Sequence, residues 1–78
     1  MMERRIYHVV RGSDDLWQVV REGFHRPHMV SPTKERAVVM AKRLAKTGSP
    51  GQVVIHNRND AVESRLTFYF SSEPEDRG

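Results

Sequence analysis

The sequence predicts an α+β domain, a small antiparallel sheet with one helix packed on one face, in the order β-β-β-α-β-β. Three observations carry this expectation. Stretches rich in β-branched and aromatic residues lie on both sides of a single segment, Lys34 to Lys46, whose apolar residues recur at helical spacing. Gly, Pro, Asn and Asp punctuate the joins between them. The chain has 78 residues, which leaves room for one hydrophobic core and no second domain.

The first strand is Ile6-Tyr7-His8-Val9-Val10, and Gly12-Ser13-Asp14-Asp15 supplies turn chemistry before Leu16-Trp17-Gln18-Val19-Val20-Arg21 returns as its hairpin partner. Side chains alternate faces along a strand, so Tyr7, Val9, Trp17 and Val19 make a core face. Ile6, Val10, Leu16 and Val20 then share the reverse face with His8 and Gln18. A slip of one residue would exchange the two sets. Gly23-Phe24-His25-Arg26-Pro27 breaks the pattern, and His28 to Ser31 reads as a short third strand at a sheet edge, because Pro27 lacks a ladder donor.

Ser31-Pro32-Thr33 marks a helix start at which either hydroxyl has the chemistry of a cap; Thr33 is the preferred N-cap, with Glu35 in the positive first turn. Ala37, Val38, Ala41, Leu44 and Ala45 form one stripe with Met40 on its shoulder, which predicts that Ala41 and Leu44 are buried against the sheet and that Lys42 and Lys46 are exposed. Gly48 is the natural left-handed residue after the helix. A second hairpin follows, Gln52 to His56, a turn at Asn57-Arg58-Asn59-Asp60, then Val62 to Phe70, in which Leu66, Phe68 and Phe70 alternate with Arg65, Thr67 and Tyr69. The domain is expected to span residues 1–70. Residues 71–78, with Pro74 and three acids, read as a disordered acidic tail.

Several function classes drop out on composition. With no cysteine, disulfides, thiolate metal sites and cysteine nucleophiles are excluded. No apolar run reaches the roughly 20 residues of a membrane helix, and Met1-Met2-Glu3-Arg4-Arg5 lacks a signal-peptide apolar stretch, so the expectation is a cytoplasmic protein without a membrane partner.

The order Tyr7-His8-Val9-Val10, then Trp17 to Gly23, then Thr33-Lys34-Glu35-Arg36-Ala37 opening a helix through Ala41 and Leu44-Ala45, and finally Val53 to Asp60, resembles a bacterial family catalogued as domain of unknown function 2188. The chain departs from that pattern at Ala61, where the family usually has glycine, which leaves the turn type open. The resemblance implies a compact α+β fold with one helix against an antiparallel sheet, and it implies no activity.

Residues 1–50 carry 10 basic and 5 acidic side chains, residues 51–78 carry 3 and 5, and the net charge is +3 with neutral histidines. The leading expectation is therefore a non-enzymatic binding module that engages a nucleic-acid backbone. Arg36, Lys42, Arg43 and Lys46 on the outer helix face are its candidate contacts, with Arg11, Arg21 and Arg26 along the first hairpin and its loop. Helix-end electrostatics alone also account for Lys42, Arg43 and Lys46. The alternative is a protein-interaction or homodimerisation module using Ile6, Val10, Leu16 and Val20 on the open sheet face.

No catalytic set stands out, since the acids are scattered and no phosphate-cradling glycine loop precedes a helix. No cofactor and no small-molecule substrate are called for. His25-Arg26-Pro27-His28 has H-x-x-H spacing, but in extended chain its two histidines point to opposite faces. His8 and His56 lie in separate strands and are able to approach each other, but a lone histidine in a strand is more often a half-exposed sheet residue and no third ligand is evident, so no metal site is assigned.

Overall fold

The computed structural model describes residues 5–47 and 50–69. The elements are β1 (Arg5–Arg11), a 3-10 turn (Ser13–Asp15), β2 (Trp17–Arg21), β3 (Met29–Ser31), α1 (Lys34–Thr47), β4 (Gly51–His56) and β5 (Val62–Phe68). The α+β class and the order β-β-β-α-β-β are as the sequence predicts. Phe70, Gly48 and the acidic tail at 71–78 lie outside the described residues.

All five strands form one sheet in the order β3-β2-β1-β4-β5. The sheet is mixed, which corrects the antiparallel expectation: β1 and β4 run parallel, with Tyr7 opposite Val53 and Val9 opposite Ile55, and the other three pairings are antiparallel. The cause is the crossover. Two antiparallel pairings make β3 run with β1, so α1 must carry the chain back along the sheet before β4 begins, and β4 then runs in the same direction.

In the first hairpin Val9 stands opposite Val19 and Arg11 opposite Trp17, the unslipped register. Gly12 donates its backbone N–H to the Leu16 carbonyl at 2.7 Å, and Asp14 and Asp15 take left-handed backbone (φ 60° and 59°) that short acids tolerate. β3 is an edge strand, and the Pro27 break ends where the His28 N–H donates to the Val19 carbonyl at 2.7 Å.

Helix α1 starts as expected. The Arg36 N–H donates to Thr33 Oγ1 at 3.2 Å, so Thr33 is the N-cap, and Ser31 donates its hydroxyl to the Thr33 carbonyl at 3.0 Å, which satisfies a buried polar group. At the other end Thr47 donates its hydroxyl to the Arg43 carbonyl at 2.8 Å, satisfying one of the last carbonyls.

The core lies between α1 and one face of the sheet. It contains Tyr7, Val9, Trp17, Val19, Val53 and Ile55 from the strands and Ala37, Ala41 and Ala45 from the helix, with Met29, Val38, Leu44, Leu66 and Phe68 packed around them. The helix rests on its alanines, spaced four apart, because small side chains let its backbone come close to the sheet. For that reason Leu44, expected to be buried, is only half-buried at the flank of this seam, and Lys42, expected to be exposed, is half-buried as well. Ala41 is buried and Lys46 exposed, as predicted.

Candidate functional site

Two surfaces result, one on each side of the sheet. On the first, the solvent side of α1 presents Glu35, Arg36, Val39, Arg43 and Lys46, with Lys42 half-buried beside them. Val39, Lys42, Arg43 and Lys46 line a recess of about 230 Å³. Lys46 also sets its ammonium 5.5 Å from the centre of the Phe68 ring. Among the described residues Arg36, Lys42 and Arg43 have no acidic partner at ion-pair distance. Lys34 is different: it pairs with Glu63 and lies 5.4 Å from the centre of the Trp17 ring, which ties the helix start to β5 and β2.

The other three candidate cations do not join this patch. Arg11 and Arg21 stand at opposite ends of the first hairpin, opposite Trp17 and Tyr7. Arg11 pairs with Asp15, and the Arg21 guanidinium lies 4.8 Å from the centre of the Phe24 ring. Arg26 is exposed in the loop after β2. The basic set is thus one helix face and three separate outposts.

The second surface is the sheet face that no helix covers. Ile6, Val10, Leu16 and Val20 all lie on it and are half-buried, in agreement with the predicted face assignment. They do not form an unbroken apolar patch. In the hairpin register Val20 stands opposite His8 and Val10 opposite Gln18, while the Glu22 N–H donates to the Ile6 carbonyl at 2.7 Å. Apolar and polar side chains therefore alternate in both directions.

His8 is the centre of that pattern, and the register explains its neighbours. Its partners across the two ladders are Val20 on β2 and Val54 on β4. Glu22 and His56 each lie two residues beyond those partners, hence on the same face and diagonal to His8. The His8 ring meets both: its Nε2 is 2.8 Å from Glu22 Oε1 and its Nδ1 is 3.0 Å from His56 Nε2. His56 in turn places Nδ1 3.3 Å from Asp60 Oδ1 and 3.3 Å from the Asp60 carbonyl. A chain of four side chains, Glu22–His8–His56–Asp60, crosses the open face. Both rings are largely buried, with side-chain exposures of 26% for His8 and 14% for His56.

The turn after β4 holds Asp60 in place. Asn57 Oδ1 accepts the N–H groups of Asn59 (2.8 Å) and Ala61 (3.1 Å), and the Asp60 N–H donates to the Asn57 carbonyl at 2.9 Å. The left-handed residue is Asp60, φ 68°, so Ala61 does without the freedom of a glycine. Sequence reading places the two histidines in separate strands that are able to approach, but it misses Glu22, which becomes visible only with the register, and Asp60, which the turn brings to His56. His25 and His28 do not form a site: His28 packs edge-on against the Tyr7 and Phe24 rings at 5.8 and 5.6 Å. Among the described residues no three metal-ligating side chains converge, and no helix is long and apolar enough to cross a membrane.

A family profile described as an uncharacterised protein conserved in bacteria (DUF2188) matches residues 7–68, and the chain belongs to that family. No curated protein and no solved structure matches it.

Proposed function

We propose that this family member is a non-enzymatic binding module that engages a nucleic-acid backbone through the outer face of α1. The observation that carries the reading is the trio Arg36, Lys42 and Arg43, which have no carboxylate partner among the described residues, with Lys46 following one turn on. Arg36 and Arg43 are two turns apart and so share a face. Cations with no carboxylate at ion-pair distance among the described residues are free to replace the counterions of a phosphate backbone. Binding of this kind is sequence-independent, since backbone contacts position a protein without reading bases.

The test is fluorescence anisotropy with labelled duplex DNA between low and physiological salt. Four phosphate contacts give a log-log slope of about −3.6. Arg36→Gln combined with Arg43→Gln removes two exposed cations, leaves the circular dichroism spectrum unchanged and makes the slope shallower by nearly 2. Absence of binding at low salt overturns the reading and returns Lys42, Arg43 and Lys46 to the helix-end role.

A second reading rests on the uncovered sheet face. Ile6, Val10, Leu16 and Val20 lie together there, and a second copy of the chain stacked on them would bury them. The alternation with His8, Gln18 and Glu22 divides that surface, so the helix-face reading is the favoured one.

A further inference from the structure

The geometry points to a binding site for a divalent transition-metal ion such as Zn²⁺ between His8 Nδ1 and His56 Nε2 on the open sheet face. The argument starts from the outer nitrogens. Glu22 offers His8 Nε2 only a carboxylate acceptor, so that nitrogen carries the hydrogen. His56 Nδ1 faces the carboxylate and the backbone carbonyl of Asp60, both acceptors, so it carries the hydrogen too. With those tautomers the inner nitrogens, His8 Nδ1 and His56 Nε2, each present a lone pair, and they face one another at 3.0 Å.

A hydrogen bond between them needs one ring to give up its outer hydrogen or take on a second, whereas a metal ion accepts both lone pairs with the outer hydrogens kept. A transition metal does this with two bonds at once. Zinc–imidazole bonds of about 2.0–2.1 Å at a tetrahedral angle separate the two nitrogens by about 3.3 Å, so the pair needs to open by only a few tenths of an ångström. The surroundings match what a ligating imidazole requires, because its second nitrogen normally donates to a carboxylate or carbonyl that fixes the tautomer and raises the ligand's basicity. Here both histidines have that partner. Two neutral imidazoles backed by two carboxylates also balance the charge of a dication; Arg65, the Val54 partner on β5, is a cation on the same face and is exposed to solvent.

Imidazole ligation suits Zn²⁺, Cu²⁺ and Ni²⁺ and not Mg²⁺ or Ca²⁺, which take oxygen. With no third protein ligand among the described residues, water fills the remaining positions. The site lies on the sheet face opposite α1, so it stands or falls independently of the nucleic-acid reading.

The experiment is calorimetric titration of the untagged full chain with Zn²⁺, alongside NMR of the histidine ring nitrogens. One Zn²⁺ per chain is expected, with the bound ion moving the His8 Nδ1 and His56 Nε2 signals and leaving His25 and His28 unmoved. His8→Gln or His56→Gln abolishes binding, while Glu22→Gln keeps both ligands and weakens binding by about 10–100-fold. A His25→Gln, His28→Gln double variant binds as the parent does. The proposal is overturned if the parent shows no saturable binding, in which case the pair shares a proton alone. It is overturned equally if zinc moves other ring signals, a measurement on the parent that needs no variant to fold.

Discussion

Tyr7 and His8 are neighbours on β1 and belong to different environments. Tyr7 lies under α1 and is 3% exposed, among Val9, Val19 and Ala41, whereas His8 lies on the uncovered face and spends both ring nitrogens on Glu22 and His56. The covered face is a packing problem, solved by volume: three alanines bring the helix close enough for Val9, Val19 and Val53 to be fully enclosed. The open face is a hydrogen-bonding problem, solved by register, since Glu22 and His56 reach His8 only as diagonal neighbours across two ladders of opposite sense. A change of volume should therefore be felt on the first face and tolerated on the second.

The sharpest break in that contrast is Trp17→Ala. The Trp17 ring belongs to the core and receives the Lys34 ammonium over its face, so its loss removes the largest side chain under the helix. A cost of about 3–5 kcal/mol is expected for an aromatic truncation in a core, a large share of the total stability of a small domain. Urea denaturation followed by circular dichroism reads it as a collapse of the midpoint. A midpoint close to the parent's would mean that the covered face is not held by packing.

Next in size is Gly51→Ala, a single methyl group. Gly51 opens β4 beneath the end of α1, where an added Cβ would come 2.5 Å from the Ala45 carbonyl oxygen and 3.0 Å from its Cα. Both are backbone atoms of the buried helix seam, so the helix end has to shift, at about 1–3 kcal/mol. The neighbouring Gln52→Ala, whose side chain reaches Thr67 Oγ1 at 3.3 Å on the other face, should move stability by less than about 0.5 kcal/mol. Thermal melts of the two variants side by side measure the contrast directly, and equal shifts would erase it.

Gly51 also shows where sequence reading reaches its limit. Its neighbours read as a loop, Thr47 to Gly51, because Gly and Pro punctuate turns; that Gly51 is already the first residue of β4 depends on how closely the helix returns. The alternation of Tyr7, Val9, Trp17 and Val19 is legible because period-2 patterning is local; the helical stripe is legible for the same reason, but that its alanines alone are buried, with Val38 and Leu44 at the flank, depends on how close the helix comes to the sheet. The parallel β1–β4 pairing is not legible, since it follows from where the crossover lands and no residue in either strand encodes the direction of its partner. Glu22 and Asp60 are hidden as well. Glu22 follows the last residue of β2, and its place beside His8 comes from the hairpin register, whereas Asp60 is brought to His56 by the turn that Asn57 closes.

The smallest expected effect is the most informative about the open face. Val10 and Val20 are half-buried there, opposite Gln18 and His8, and the stems of lysines put in their place can lie along the same surface with the ammonium groups in water. Val10→Lys with Val20→Lys should therefore cost no more than about 0.5 kcal/mol per site, the range of ordinary surface substitutions, and the circular dichroism spectrum should keep its shape. Sedimentation at high protein concentration gives the second readout. If two copies of the chain pack through this face, the parent sediments as a dimer and the variant as a monomer, because two ammonium groups per chain would be buried without partners. If the face meets solvent, both sediment as monomers at every concentration. Unfolding of the variant would break the comparison itself, since it would show that these valines bear on the core in the way that Val9 and Val19 do.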